Sequence, residues 1–231
     1  MLSKIKAFLL VIEFVISTLI TIVFMYLFKS KNHLVRKTWA NFQTIIMNFT
    51  IKEIGEPDPE AKLVFVNHQS LVDMVALEAI HPNNLCWVAK KEITDIPLFG
   101  HIIKAPKMIS IDRKDKRSII KIIRESKERI SEGRVIAMFP EGTRGRGEKL
   151  LKFQSGGKIL AEKLELLVQP IVIVNSKYIL DSQELTAHSG EVSVIYLDAI
   201  DPKENENWFI DLKDKMQRTL DDELANYTSN R

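Results

Sequence analysis

The first hydrophobic signal along the chain is a block. Residues 7–28, AFLLVIEFVISTLITIVFMYLF, carry a single charge, Glu13. As a helix this run is about 33 Å long, enough for a hydrocarbon core of about 30 Å. Its Ile, Leu, Phe and Val residues favour insertion by about 5–9 kcal/mol, against about 3 kcal/mol for one central acid. The run is too long for a cleaved signal peptide, and no small-x-small site follows it. Length and composition do not decide between a helix that spans the bilayer and one that lies in a single leaflet. In the next stretch, LVRKTWANFQTIIMNF, the residues Val35, Trp39, Phe42, Ile46 and Phe49 recur at helical spacing. Trp39 beside basic residues predicts an interfacial helix, although a helix packed on a soluble domain has the same spacing. Residues 1–54 therefore read as a membrane-associating helical pair, and residues 55–231 as a separate domain.

From Lys62 the pattern changes to short apolar runs alternating with helical periods. Strands are predicted at 62–66, 86–90, 108–112, 135–139, 170–174 and 192–197. Helices are predicted at 71–79, 118–133, 157–166 and 206–226. This alternation predicts an α/β fold, a largely parallel central sheet flanked by helices. No internal repeat or low-complexity linker interrupts it.

Charge and cysteine content narrow the class. The net charge of +3 is uneven: residues 1–55 carry +5 and the remainder −2. A basic excess beside the most apolar segment fits anionic lipid headgroups better than nucleic acid. Lys29, Lys31, Arg36 and Lys37 outnumber Lys4 and Lys6, which predicts that the C-terminal side of the apolar run faces the cytoplasm of an inner membrane. The one cysteine, Cys86, excludes an internal disulfide and suits a reducing compartment.

Polar motifs sit where an α/β sheet binds ligands, beyond the carboxyl ends of strands. VNHQSLVDM, 66–74, leaves the first of these strands. Ser70 and Asp73 fit a capping box. His68 and Asp73 also fit a general base and its orienting carboxylate, and the two readings are compatible. FPEGTRGRG, 139–147, leaves another strand. Its glycines let backbone N–H groups approach an anion, and Arg144 and Arg146 suit bidentate phosphate binding. A flexible basic loop has the same composition. Arg113 ends the 108–112 strand, and Lys104 and Lys107 lie just before it. No Walker loop, nucleophile elbow or metal-ligand spacing is present. Ser70 is too close to His68 to complete a hydrolase triad, and His101 and His188 read as structural or surface residues. A base beside an anion site predicts deprotonation of a hydroxyl on a phosphorylated substrate.

NHQSLVD (67–73), KKEITDIPLFG…IDR (90–113), FPEGTRGRG (139–147) and LVQPIVIV (167–174) together resemble, in order, the blocks of the glycerolipid acyltransferases, and most closely their bacterial 1-acyl-glycerol-3-phosphate branch. The resemblance covers about residues 62–178. It implies transfer of a fatty acyl chain from acyl-CoA or acyl-carrier protein to lysophosphatidic acid at a membrane, with no metal and no further cofactor. By position it implies His68 as base, Asp73 as its partner, and Arg113, Glu141, Gly142, Thr143 and Arg144 around the acceptor phosphate; Lys104, read from its place before the 108–112 strand, is a further candidate there. Glycerol 3-phosphate or another lysophospholipid is an alternative acceptor, and a non-catalytic lipid-binding protein is an alternative class. One departure stands out. The family usually has a glycine a few residues before IDR, where this chain has Pro106 and Lys107.

Overall fold

The computed structural model describes residues 2–113, 115 and 117–229. Two long helices open it, α1 (Leu2–Leu27) and α2 (Asn32–Met47). There follow β1 (Phe49–Ile54), β2 (Leu63–Val66), α3 (Val72–Ile80), β3 (Leu85–Lys90), the short helices α4 (Lys91–Thr94) and α5 (His101–Lys104), and β4 (Ile109–Ile111). The second half runs α6 (Ser118–Ser131), β5 (Val135–Met138), α7 (Ser155–Leu164), β6 (Val168–Val174) and α8 (Ser176–Ile179). A small hairpin, β7 (Leu180–Asp181) with β8 (Thr186–Ala187), precedes β9 (Gly190–Tyr196) and α9 (Trp208–Ser229).

The main sheet has seven strands in the order β1-β9-β6-β2-β5-β3-β4. Every neighbouring pair is parallel except β6 with β9. Alternate residues of the central strands face opposite layers, as the pleat requires. Val64 and Val66 join α1, α2 and α3 in one core, while Leu63 and Phe65 join α6, α7 and α9 in the other. The α/β architecture read from the alternation is thus present. The parallel strands β2, β5 and β4 end on the same side, which is the rim where the polar motifs sit.

Two features of the N-terminal segment differ from the pattern reading. Phe49–Ile54, assigned by its spacing to the helical pair, is a sheet strand beside β9. Asn48 causes the switch: it takes the left-handed conformation (φ 56°) and ends α2. The stripe on α2 is also split: Val35 and Trp39 are partly buried, whereas Phe42 and Ile46 face out. Arg36, Ala40, Gln43 and Met47 are buried, while Leu34, Phe42, Ile45 and Ile46 are exposed. Trp39 is half-buried against α1. Its indole N–H donates to Ser17 Oγ at 3.1 Å and its ring packs edge-on against Phe14.

Helix α1 lies along the domain and is fastened at both ends. Ser3 donates to the Ala187 carbonyl at 3.2 Å, Lys6 to Ser189 at 3.0 Å, and Tyr26 meets His101 Nδ1 at 2.6 Å. Its inward face carries Thr18 and Thr21 as well as Leu10, Phe14 and Met25. Glu13, the lone charge of the apolar run, accepts from Gln43 of α2 at 3.0 Å. The exposed residues from Ile5 to Phe24 are all apolar, including Phe8, Ile16, Ile20 and Val23, while Lys4 and Tyr26 are exposed towards the two ends.

The missing glycine before IDR has a structural counterpart. Lys107 adopts φ 52°, a left-handed conformation that suits glycine. Buried Arg134 holds this turn by donating to the Pro106 carbonyl at 2.9 Å and the Lys107 carbonyl at 3.3 Å. The Lys107 side chain is exposed. Strain of about 1–3 kcal/mol at such a residue exceeds the entropic cost of glycine, about 0.5–1 kcal/mol. Lys107→Gly should therefore stabilise the protein by about 1 kcal/mol, read as a rise in the urea midpoint; an unchanged or lower midpoint would show the turn to be unstrained.

Candidate active site

His68 follows the end of β2, and Asp73 lies in the first turn of α3. The His68 ring approaches Asp73 Oδ2 through Nδ1 at 3.0 Å. An ionised carboxylate only accepts, so the Nδ1 proton faces Asp73 and Nε2 is left with its lone pair. Asp73 is fully buried, and the same Oδ2 accepts the backbone N–H groups of Gln69 at 2.6 Å and Ser70 at 2.8 Å. The capping box and the His–Asp pair are therefore one object. Ser70 Oγ accepts the Val72 N–H at 3.2 Å and donates to the Leu180 carbonyl at 2.5 Å, so its hydroxyl serves the turn. Asn67 binds both the N–H and the carbonyl of Ile173, at 2.7 and 2.8 Å, fixing the loop to β6.

The ring is also held by its face. Phe139, at the end of β5, stacks on His68 with centroids 3.8 Å apart and planes 13° from parallel. Trp87 of β3 stacks on Phe139 in turn, with centroids 5.0 Å apart. The Trp87 indole donates to buried Glu78 at 2.8 Å, and Glu78 pairs with buried Arg36 of α2. Pattern reading assigned none of Phe139, Trp87 or Glu78 to the site, because aromatic residues in strands read as core.

The PEGTRGRG loop reaches His68 from the other side. Glu141 is buried; its Oε1 accepts the His68 N–H at 2.8 Å and its Oε2 the Leu151 N–H at 2.6 Å. Gly145 donates its N–H to the His68 carbonyl at 2.7 Å. Glu141 was expected beside the acceptor phosphate, but both its oxygens are taken by backbone donors. Arg113 donates to the Gly142 carbonyl. Gly142 has φ 76°, and a Cβ there would lie 2.8 Å from the Arg113 guanidinium, so this position requires glycine twice over. Partial burial draws the Arg113 guanidinium below its ordinary range, with Glu92 opposing; it remains cationic at neutral pH.

Three of the expected acceptor residues lie apart from this cluster. Arg144 turns away to donate to Ser182 at 2.5 Å, because the β7–β8 turn packs against the loop. Thr143 is exposed. Lys104 is exposed on α5, and among the described residues no hydrogen bond or ion pair ties its ammonium to the rim. Cys86 is buried and burial pushes its thiol up, which disqualifies it as a nucleophile.

Beside Arg113 is a cavity of about 380 Å³. Arg113, Gly142 and the first turn of α7, Ser155–Gly157, line one part, and Ile119, Ile122, Met138 and Ile159 another. No side chain caps α7, so its first N–H groups are available to an anion. His68 does not itself line the cavity, but Phe139, on which its ring stacks, and Gly142 do, so the cavity with its cation, helix-end donors and apolar walls adjoins the histidine.

The Acyltransferase family model matches residues 49–174, from β1 through β6. The chain belongs to the acyltransferase family. The 1-acyl-sn-glycerol-3-phosphate acyltransferase of Helicobacter pylori (strain J99) is 43% identical over 170 residues, 73% of this chain and 72% of that protein. The lyso-ornithine lipid O-acyltransferase of Brucella abortus (strain 2308) is 29% identical over 189 residues, 77% of this chain and 70% of that protein. The crystal structure of the 1-acyl-sn-glycerophosphate (LPA) acyltransferase PlsC of Thermotoga maritima superposes with a TM-score of 0.74. It covers 97% of this chain and 95% of that one at 19% identity, a likeness of fold.

Glu141 makes the acyltransferase site pH-sensitive. Burial pushes its carboxyl up to about 7, the Leu151 and His68 N–H donors oppose the rise, and Asp73 adds to it. Unfolded, it ionises near 4.5. Between these values the folded state holds a proton that the unfolded state has lost, so this group's contribution to stability falls as pH rises. Relative to Glu141→Gln, the wild type should lose stability from about pH 4.5 to about pH 7 and then run parallel. Urea midpoints across this range check it; a constant difference through the window would contradict it.

Proposed function

We propose that this acyltransferase converts 1-acyl-glycerol 3-phosphate to phosphatidic acid, taking the acyl chain from acyl-CoA or acyl-carrier protein. The observation that carries the reading is the His68 ring, oriented by Asp73 through Nδ1 and stacked on Phe139, with Arg113 on the adjoining loop. Nε2 takes the proton of the sn-2 hydroxyl. The oxygen attacks the thioester carbonyl, and the tetrahedral intermediate collapses to the new ester. The departing thiolate takes the proton back from His68. A thioester is a good leaving group, so no acyl-enzyme is needed. Arg113 and the first turn of α7 are the groups suited to the acceptor phosphate. The name of the Helicobacter relative supports this acceptor. The Brucella relative supports a second reading, in which the acceptor is a different lysolipid.

A membrane position follows from the helical pair. In water a helix buries its apolar face and exposes its polar one. Here α1 and α2 bury Thr18, Thr21, Arg36 and Gln43 and expose Phe8, Ile16, Phe42 and Ile45. Among the described residues α1 is the one helix long and apolar enough to cross a bilayer. Yet both its ends are fastened to the domain. That supports a helix lying in one leaflet, with the site at headgroup level on the cytoplasmic face of the inner membrane, where both donors are found.

His68→Ala should lower kcat by about 10²-fold or more, the usual weight of a general base, measured as acceptor-dependent thiol release from both donors. Retained turnover would remove His68 from the mechanism. Absence of acceptor-dependent release from the wild type with either donor, over a panel of lysolipids, would leave a lipid-binding protein. Arg113→Ala should raise the KM for lysophosphatidic acid with little change in the donor KM, and an effect confined to the donor would place the phosphate elsewhere.

A further inference from the structure

The connection between β3 and β4 presents an apolar tip to solvent. Leu98 is 72% exposed and Ile96 47%, with exposed Pro97 between them. Leu98 has φ 60°, a conformation that leucine rarely adopts. The tip is nevertheless tightly built. The Phe99 N–H donates to the Pro97 carbonyl at 2.7 Å and the Gly100 N–H to the Ile96 carbonyl at 2.8 Å. Gly100 is buried, and a Cβ there would meet the Thr94 carbonyl oxygen at 2.1 Å, so the chain can make this turn only with glycine. A rigid turn that holds a leucine outward in an unfavourable conformation has no account in the packing of the domain itself.

Its neighbour supplies one. The turn leads into α5, and His101 of α5 meets Tyr26 near the end of α1 at 2.6 Å. That end of α1 exposes Phe24, Leu27 and Phe28, and Lys29 and Lys31 follow at once. An apolar helix end, aromatic residues and lysines are the makings of a membrane–water boundary. The turn continues this surface on a different part of the chain. It also belongs to the segment that ends, three residues after β4 begins, at Asp112 and Arg113.

We propose that the Ile96–Leu98 turn is a second lipid-inserting element, which enters a bilayer containing anionic phospholipid beside the C-terminal end of α1. The proposal rests on the membrane reading of the helical pair. Two contacts at separate points fix the tilt of a domain on a surface as one helix cannot. The turn therefore sets the height of the Arg113 rim relative to the headgroups.

The test is co-sedimentation of the full chain with vesicles containing phosphatidylglycerol. Leu98→Asn removes the apolar side chain and suits the left-handed backbone, so the variant keeps its fold, checked by its thermal midpoint. Leu98→Asp and Ile96→Asp are parallel variants. Each should weaken vesicle binding about ten-fold or more, the loss expected when a fully inserted leucine is withdrawn. Ile16→Asp on the outward face of α1 is the control. If Ile16→Asp releases the protein while all three turn variants bind as the wild type does, the turn proposal is overturned and the membrane reading stands. If Ile16→Asp also binds unchanged, both are overturned.

Discussion

Two buried carboxylates hold the His68 loop from opposite sides, and the rest of the site hangs on them. Asp73 gathers the His68 ring and two backbone N–H groups on one oxygen. Glu141 takes the His68 N–H on one oxygen and the Leu151 N–H on the other. Asp73 thus ties the histidine and the two residues after it to the first turn of α3, while Glu141 ties His68 and Leu151 to the PEGTRGRG loop. Hydrogen bonds in a buried setting tolerate little misplacement. The loops that carry His68 and PEGTRGRG have no regular backbone pairing of their own. These five contacts take the place of a sheet ladder and let two irregular loops keep one geometry.

The second organising constraint is the seam between α1 and α2. Glu13, Ser17, Trp39 and Gln43 form one hydrogen-bonded cluster between the helices. Polar groups that would be costly against lipid turn to one another across this seam, although Glu13 Oε2 and Gln43 Oε1 are buried there with no hydrogen-bond partner among the described residues. This arrangement explains how a run containing an acid tolerates an apolar surround: the charge faces its partner helix, and the exposed side chains from Ile5 to Phe24 are hydrocarbon. It also explains why α2 buries Arg36 and Gln43 and exposes Phe42 and Ile45, unlike a soluble helix. Its inner face must match the polar line of α1 and must deliver Arg36 to Glu78.

Local sequence made some of this legible. The His68–Asp73 spacing could be read because a loop residue and the first turn of the next helix are adjacent by chain geometry. The shared rim followed from strand order alone, since parallel strands end on one side. Contacts decided by distant residues were not legible. Nothing near Glu141 indicates that its carboxylate turns to backbone N–H groups, and nothing near Arg144 points to Ser182, 38 residues later. Periodicity located the stripe on α2 but could not say which side met the protein. Strand β1 was hidden because Phe49 continues the helical spacing, and the break depends on one residue, Asn48, taking a left-handed conformation. The departure at Lys107 was visible, and its backbone shows what it means: the turn keeps the shape glycine would give and bears the strain.

The contacts around Phe139 connect these two constraints. From His68 the stack passes through Phe139 to Trp87, then by hydrogen bond to Glu78 and by ion pair to Arg36 on α2. Arg36 also donates to Asn84 at 2.7 Å and to the Leu85 carbonyl at 3.2 Å. A buried ion pair contributes little to net stability compared with an apolar pair, but removing one partner strands the other and costs several kcal/mol. Its effect is therefore on geometry more than on stability. It allows one docking position of α2 on α3 and β3 and resists sliding of the helical pair against the sheet. The plane of the His68 ring and the docking of α1 and α2 are thereby joined by one continuous line of packed and hydrogen-bonded groups.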